Sequence, residues 1–121
     1  MKIENIKFKA KRLDGKGWAI GDLLHSYENG AIIAPIEGGG AFSVDPSTVC
    51  QFTGMKDCDG TDIFEGDLLA EKRFPMYEVG YVDSEFAASY IGENTFIFKL
   101  PALSKGCVVC GSIYDRKEGG K

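Results

Sequence analysis

The sequence lacks the residues and motifs on which most enzymes depend. It holds a single histidine, His25, so any nucleophile that needs an imidazole base has only this residue to use. It contains no glycine-rich phosphate loop, no histidine-based metal motif and no nucleophile elbow. We therefore predict a protein with no catalytic residues, no bound metal and no cofactor, in which His25 is structural or exposed to solvent.

Long apolar runs are missing as well. Nowhere does the sequence offer the roughly 18 consecutive apolar residues that a membrane-spanning helix needs. Residues 1–10 alternate lysine with apolar side chains, whereas a secretion signal would be continuously apolar. These absences predict a cytoplasmic protein with no membrane partner.

Cysteines are few, and their spacing gives only a weak metal signal. Cys107 and Cys110 have the spacing of a zinc knuckle or a thiol redox pair. The two valines between them favour a strand, in which residues three apart point to opposite faces and cannot share one metal. Together with Cys50 and Cys58, they are predicted to be reduced, buried core residues.

Helical periodicity is also absent, while residues typical of strands and turns are plentiful. Sixteen glycines and eight phenylalanines favour many short strands joined by tight turns. The length suits one domain. We predict an all-β fold, a small barrel-like antiparallel β domain with at most short helical turns. It spans residues 1–116 and is followed by a flexible C-terminal tail at 117–121.

Local patterns divide the chain into strands and turns. Ile6, Phe8 and Ala10 alternate with lysines and predict a first strand with one buried face. Asp45 is a good helix N-cap before Pro46, so one helical turn is expected at a corner between strands. Other strands are predicted at 18–27, 31–36, 49–53, 68–73, 77–83, 95–100 and 107–114. Between them we expect a loop at 38–40, a turn at 54–60 and a helical turn or two at 84–90. Pro75 is expected to prevent 68–73 and 77–83 from forming one long strand.

Negative charge is concentrated in residues 44–69. This segment has six carboxylates and one lysine, in a chain with 14 Lys/Arg and 18 Asp/Glu. The carboxylates around Gly60 could form a calcium site, but that glycine does not stand where an EF-hand loop requires it. Turn chemistry explains the same residue types. We predict a hairpin turn that displays a candidate interaction surface made of Asp57, Asp59, Asp62, Glu65 and Asp67.

Two other functions stay open. Basic residues do not form an evident footprint, so general nucleic-acid binding is disfavoured. One face of a small barrel could still bind a strand by stacking on Trp18, Phe8 or Tyr81, although core packing also explains these aromatic residues. A metal-dependent hydrolase using Asp57, Asp59, Asp62 or Glu65 is the third alternative.

Residues 44–69 read VDPSTVCQFTGMKDCDGTDIFEGDLL. This stretch resembles the signature of the YopX family, small proteins encoded by bacteriophages and prophages. The resemblance covers nearly the whole chain. Departures are modest: the family often has tryptophan or arginine near residues 9–11, asparagine where Ser112 stands and an aliphatic residue where Cys110 stands. The matching residues are Val44-Asp45-Pro46, Thr48-Val49, Gln51, Thr53-Gly54, Asp57, Gly60, Ile63, Glu65-Gly66-Asp67, Ile6-Lys7-Phe8-Lys9-Ala10, Gly21-Asp22-Leu23 and Gly111-Ser112-Ile113-Tyr114-Asp115.

The resemblance implies an all-β, barrel-like fold and a phage-derived origin inside a bacterial host. Gly66-Asp67 is similar to the tight bend that opens a strand in SH3-like barrels, so the second half is expected to be SH3-like. The family brings no established activity and therefore no functional residues to carry over. We predict a phage or prophage accessory protein, a non-enzymatic binding module for a host or phage protein. An edge strand would also allow a homo-oligomer.

Overall fold

Strands dominate the chain. The computed structural model describes residues 2–71, 74–93, 95–96 and 98–115, and these contain eleven strands, the short α-helix Leu100–Ser104, three 3-10 turns and helical residues at 113–115. The strands form antiparallel sheets, which confirms the all-β prediction. The chain divides into two compact units, Met1–Phe52 and Thr53–Lys121. The boundaries 1–116 and 117–121 stay a prediction, since the tail lies outside the described residues. None of the described helices is long and apolar enough to cross a membrane.

The strands of the first unit follow the order β4-β3-β2-β1-β5 in a six-stranded antiparallel sheet, whose sixth strand, Asp62–Phe64, lies beside β5. The predicted strands in this region are present, and a short additional strand, β4, follows the glycine loop. The strands are β1 (Phe8–Lys11), β2 (Trp18–His25), β3 (Ala31–Ala34), β4 (Phe42–Val44) and β5 (Cys50–Lys56), the last of which continues into the second unit; 3-10 turns lie at Ile3–Asn5, Tyr27–Asn29 and Pro46–Thr48.

The core of the first unit forms on one face of this sheet. Ala10, Ala19, Ile33 and Val44 are buried together, because alternate residues of a strand point to the same face. Gly21 is required for the close approach of β2 and β3, since a Cβ at this position would lie 2.2 Å from the carbonyl oxygen of Ala34.

The sheet also curls back towards its own start. The end of β1 meets β4 through a bridge between Arg12 and Val44. The Leu13 N–H donates to the Ser43 carbonyl oxygen at 3.0 Å, and the Asp45 N–H donates to the Lys11 carbonyl oxygen at 2.8 Å. One edge of β1 is therefore shared by β4 and β5, which gives the unit a barrel-like form without a fully paired, closed barrel among the described residues.

The predicted corner at Asp45 joins these two strands. The Asp45 carboxylate accepts the Ser47 N–H at 3.0 Å, and Pro46 starts the helical turn, as the cap and proline signals predicted. The buried Thr48 hydroxyl donates to the Asp45 carbonyl oxygen at 2.8 Å and accepts the Lys11 N–H at 2.9 Å. It therefore satisfies a β1 amide that the corner leaves without a strand partner.

The second unit is built mainly on a five-stranded antiparallel sheet in the order β10-β9-β8-β7-β11. Its core is formed by Ile63, Leu69, Tyr77, Val79, Ala88, Leu100 and Cys107. The elements are β6 (Asp62–Phe64), β7 (Asp67–Glu71), β8 (Phe74–Val82), β9 (Glu85–Tyr90), β10 (Phe98–Lys99), α1 (Leu100–Ser104) and β11 (Val108–Ser112).

Several local predictions for the second unit were wrong. The predicted helical turn at 84–90 is wrong: Asp83 and Ser84 form a two-residue hairpin turn with φ of 52° and 67°, and Glu85–Tyr90 is strand β9, paired with β8. The strands predicted on either side of Pro75 are separate, as β7 and β8, but Pro75 itself lies inside β8, at a point where the two strands change register. The turn predicted at 54–60 begins later, because β5 runs to Lys56. Helix α1 was not predicted.

Candidate functional site

Asp57, the first residue of the predicted acidic surface, is a structural residue. Its side chain is only 7% exposed. One oxygen, Oδ1, accepts the N–H groups of Asp59 at 2.9 Å and Thr61 at 2.8 Å. The other, Oδ2, accepts the N–H of Val109 in β11 at 2.8 Å. The carboxylate thus forms the turn around Gly60 and joins that turn to β11, which is an edge strand of the sheet.

These hydrogen bonds also decide the ionisation of Asp57. Burial by itself would raise the pKa of the carboxyl, but the N–H groups of Val109, Thr61 and Asp59 outweigh it and lower the pKa below the ordinary value of 3.8. Asp57 is therefore a charged group held by backbone dipoles. It does not present its charge to a partner.

Asp67 is likewise internal. It is 1% exposed, and its Oδ2 accepts the Phe64 N–H at 2.8 Å across the tight bend between β6 and β7. Gly66 has a φ of 86° at this bend, a conformation that glycine adopts readily. The prediction that Asp57 and Asp67 belong to a displayed surface is wrong, because both residues are buried and their carboxylates accept backbone N–H groups.

The other three acidic residues are accessible to solvent. Asp59 is exposed, and Asp62 and Glu65 are half-buried. Asp62 forms an ion pair with Lys56, with 2.6 Å between Oδ1 and Nζ. In the described part of the chain, no group of three or more His, Cys, Asp or Glu side chains is arranged to hold a metal ion. A role of Asp59, Asp62 and Glu65 in binding stays a prediction.

The cysteines divide into two classes. Cys50 and Cys107 are buried as predicted, but Cys58 and Cys110 are exposed, so the core prediction is wrong for these two. Cys110 lies where β11 changes register against β7, and such a bulge changes the direction of the side chain. Burial and the charge of Glu71 raise the pKa of Cys107, and residual burial with the charge of Asp67 raises that of Cys110.

A second surface, whose lysines are half-buried, lies along β1 and β2 of the first unit. Lys7, Lys9 and Lys11 alternate with the inward residues of β1, and the strand register sets Lys9 opposite Ile20 and Lys11 opposite Trp18. The Nζ atoms of Lys9 and Lys11 lie 4.7 Å and 5.1 Å from the centre of the Trp18 ring. Such cation–π contacts hold the charged groups in place. We call these five residues the lysine face.

Exposed aliphatic side chains continue this surface. Ile20 and Leu24 on β2 are 49% and 51% exposed, and Ile36 is 61% exposed. A surface cavity of about 360 Å³ is lined by Lys7, Ile20, Pro35, Ile36 and Glu37. The lysine face therefore combines three cations with an adjacent cavity that is partly lined by apolar side chains. Sequence alternation indicated the lysines, but only the strand register joins them to Trp18 and Ile20.

The remaining aromatic and histidine predictions have mixed outcomes. Phe8 packs against the core of the first unit and so is not a stacking platform. Tyr81 is 55% exposed in the second unit, with its ring 4.8 Å from that of Phe86. His25 is exposed at the end of β2, as predicted.

Comparison with known protein families gives a match over residues 7–118 to the model described as YopX protein. No curated protein matches the chain. The match covers both units and every residue of the two surfaces described above.

Proposed function

The chain belongs to the YopX family, whose members are phage-type proteins of uncharacterised function, and from that premise we propose that it is a phage or prophage accessory protein without catalytic activity. It acts by binding a host or phage protein in the bacterial cytoplasm. The contact surface is the lysine face together with the aliphatic residues beside it.

The observation that carries this proposal is the exposed apolar surface of β2 and the loop after β3. Single exposed apolar residues are common on soluble proteins, but Ile20 and Ile36 line one cavity, and Leu24 lies further along the same face of β2. Exposed apolar side chains that line a cavity, as Ile20 and Ile36 do, are typical of protein-binding sites. Its burial by a partner would stabilise the complex in proportion to the area removed from water.

Affinity purification from the bacterial host, with mass spectrometry and with or without nuclease, tests the proposal. Wild type is expected to recover a protein partner at a stoichiometric level regardless of nuclease. The double variant Ile20→Ser, Leu24→Ser should lose it. Leu13→Ser is a matched control, since Leu13 is 65% exposed in the turn after β1. Recovery of no partner across growth and induction states would count heavily against the proposal.

Nucleic-acid binding is the second candidate, and the lysine row beside Trp18 is the observation in its favour. Lysines supply phosphate contacts, and tryptophan can stack on bases. Retention on single-stranded DNA that falls with salt, together with a partner that nuclease removes, would support this candidate. Binding that stays absent at low salt would remove it.

The accessible acidic residues offer a separate test. Charge reversal by Asp59→Lys with Asp62→Lys is expected to weaken partner binding without unfolding the chain if this hairpin also contacts the partner. Unchanged binding would mean that residues 44–69 have only a structural role.

The hydrolase hypothesis is tested by calorimetric titration with magnesium, manganese and calcium. The absence of both heat and a shift in melting temperature would reject the hypothesis, because a ligand of the native state stabilises that state.

A further inference from the structure

We infer that the chain forms a two-fold dimer in which Tyr27 of each copy enters a surface cavity of the other copy. This inference goes beyond the proposed function, because it concerns contacts between copies of the chain and not a different partner. Three features of the first unit carry it: a cavity that continues the core, a fully exposed tyrosine in the turn beside that cavity, and two polar side chains that line it.

The cavity continues the core of the first unit. It has a volume of about 300 Å³ and lies where β2 ends and β3 begins. Leu23, Ala31 and Val49 line it, are half-buried and also pack against the buried core cluster. Alternation along β2 places His25 on the same face of the sheet as Leu23. The core is therefore open to solvent at this end, and an apolar group that enters the cavity extends the core.

Tyr27 lies in the turn that joins β2 to β3 and is 95% exposed. Two backbone hydrogen bonds fix this turn: the Ser26 N–H donates to the Gly30 carbonyl oxygen at 3.0 Å, and the Gly30 N–H donates to the Tyr27 carbonyl oxygen at 3.1 Å. Asn29 and Gly30 of the same turn line the cavity. The turn thus presents a large aromatic ring to water directly beside a cavity that the ring of its own chain does not fill.

The polar groups of the cavity match the hydroxyl of a tyrosine. The side chains of His25 and Asn29 line it, and neither makes a hydrogen bond or an ion pair within the part of the chain that the structure describes. Each can exchange a hydrogen bond with a phenol. The described lining has no carboxylate or ammonium group, unlike the cavity lined by Lys7 and Glu37. An uncharged ring with one polar group is therefore favoured over an ion.

A two-fold axis satisfies both copies at once. In a two-fold contact the same patch of each copy is used, so both tyrosines are buried in one event. Each aromatic side chain removes about 150–250 Å² from water, so two tyrosines and their cavities together bury roughly 600–1,000 Å². Stable complexes bury about 1,200–2,000 Å². The dimer is therefore weak and depends on protein concentration.

Sedimentation equilibrium of the purified full chain, at concentrations on the order of micromolar to millimolar, tests this inference. Wild type is expected to change from monomer to dimer over this range, with no larger species. Because the contact is apolar and uncharged, the dimer should persist as salt rises and charges are screened. In NMR spectra, the amide shifts of Ala31 and Val49 should change with concentration in wild type and not in Tyr27→Ala.

Matched variants assign the dimer to Tyr27 and the cavity. Tyr27→Ala should weaken dimerisation at least about 100-fold, since it removes the same aromatic contact twice. Tyr27→Phe keeps the ring and should dimerise more tightly than Tyr27→Ala. His25→Trp narrows the cavity and should also prevent dimerisation although Tyr27 is intact. Tyr81→Ala is the control, because Tyr81 is 55% exposed in the second unit and should not contribute. Thermal melting of dilute samples checks that each variant folds.

Several results would overturn the inference. These are a wild type that stays monomeric over the whole range, equal dimerisation of wild type and Tyr27→Ala, equal weakening by Tyr27→Ala and Tyr81→Ala, or growth into species larger than a dimer, which indicates a head-to-tail contact. None of them decides the proposed function. That proposal is tested by Ile20→Ser with Leu24→Ser, and these residues lie on the opposite face of β2 from Leu23 and His25.

Discussion

Replacing Asp57 with alanine removes the acceptor of three backbone hydrogen bonds in one step. Two of the donors, the N–H groups of Asp59 and Thr61, belong to exposed residues of the turn and can bond to water instead. The third is the N–H of Val109 in β11, which is half-buried and 52 residues away. Its loss removes one of the bonds between the turn and this edge of the sheet, and the Cys58 N–H, which donates to the Cys107 carbonyl oxygen at 3.1 Å, remains.

The size of the effect follows from the charge of the acceptor. Each hydrogen bond to a charged group contributes about 1.5–3 kcal/mol, and a buried donor left without a partner costs about 1–3 kcal/mol. With two donors rehydrated, Asp57→Ala should lower the free energy of unfolding by about 2–4 kcal/mol. Against a total of about 5–15 kcal/mol for an ordinary domain, this is a large fraction.

Urea denaturation at pH 7 measures this loss, and Asp59→Ala is the matched control in the same turn. Asp59 is exposed, so its removal should change stability by no more than about 0.5 kcal/mol. Amide exchange should also become faster at Val109 in Asp57→Ala and not in the control.

The pH dependence gives an independent readout. The folded pKa of Asp57 lies below its ordinary value of 3.8, so its contribution is complete above that value. The contribution is lost as the pH falls from the unfolded pKa through the folded pKa. The stability difference between wild type and Asp57→Ala should therefore be constant near neutrality and narrow below about pH 4. Equal stabilities of Asp57→Ala and Asp59→Ala at pH 7 would refute the reasoning.

Three further predictions concern stability and use the same denaturation assay. Thr48→Val loses the hydroxyl that joins the corner to β1 and should cost about 1–3 kcal/mol, whereas Thr48→Ser should keep most of the stability. Gly21→Ala forces a Cβ against β3 and should cost at least about 1–3 kcal/mol, whereas Gly106→Ala, which meets nothing within 4 Å, should be close to neutral. Asp83→Asn with Ser84→Gly relieves a positive φ at both turn residues and should stabilise the chain by about 0.5–1 kcal/mol; destabilisation would contradict the turn assignment.

Predictions that depend on interactions between residues close in sequence were correct, whereas several that depend on contacts between distant segments were wrong. The corner at Asp45 and the alternation in β1 were correct because the bonds and periodicity that define them lie within a few residues. Strand β9 was predicted as helical because its small residues suit either structure, and pairing with β8 decided between them. The exposure of Cys110 depends on a bulge that no local pattern announces.

The same division applies to the candidate surfaces. The sequence by itself determined the strand-rich class, the corner at Asp45 and the alternation of lysines with apolar residues in β1, since these depend on residue type and spacing alone. Only the tertiary structure decided which charges reach solvent. Asp57 and Asp59 look alike in the sequence, but one carboxylate is buried because a backbone N–H 52 residues away bonds to it, and the other is not. The lysine face likewise became a surface only when the register of β1 and β2 set its cations beside Trp18 and Ile20.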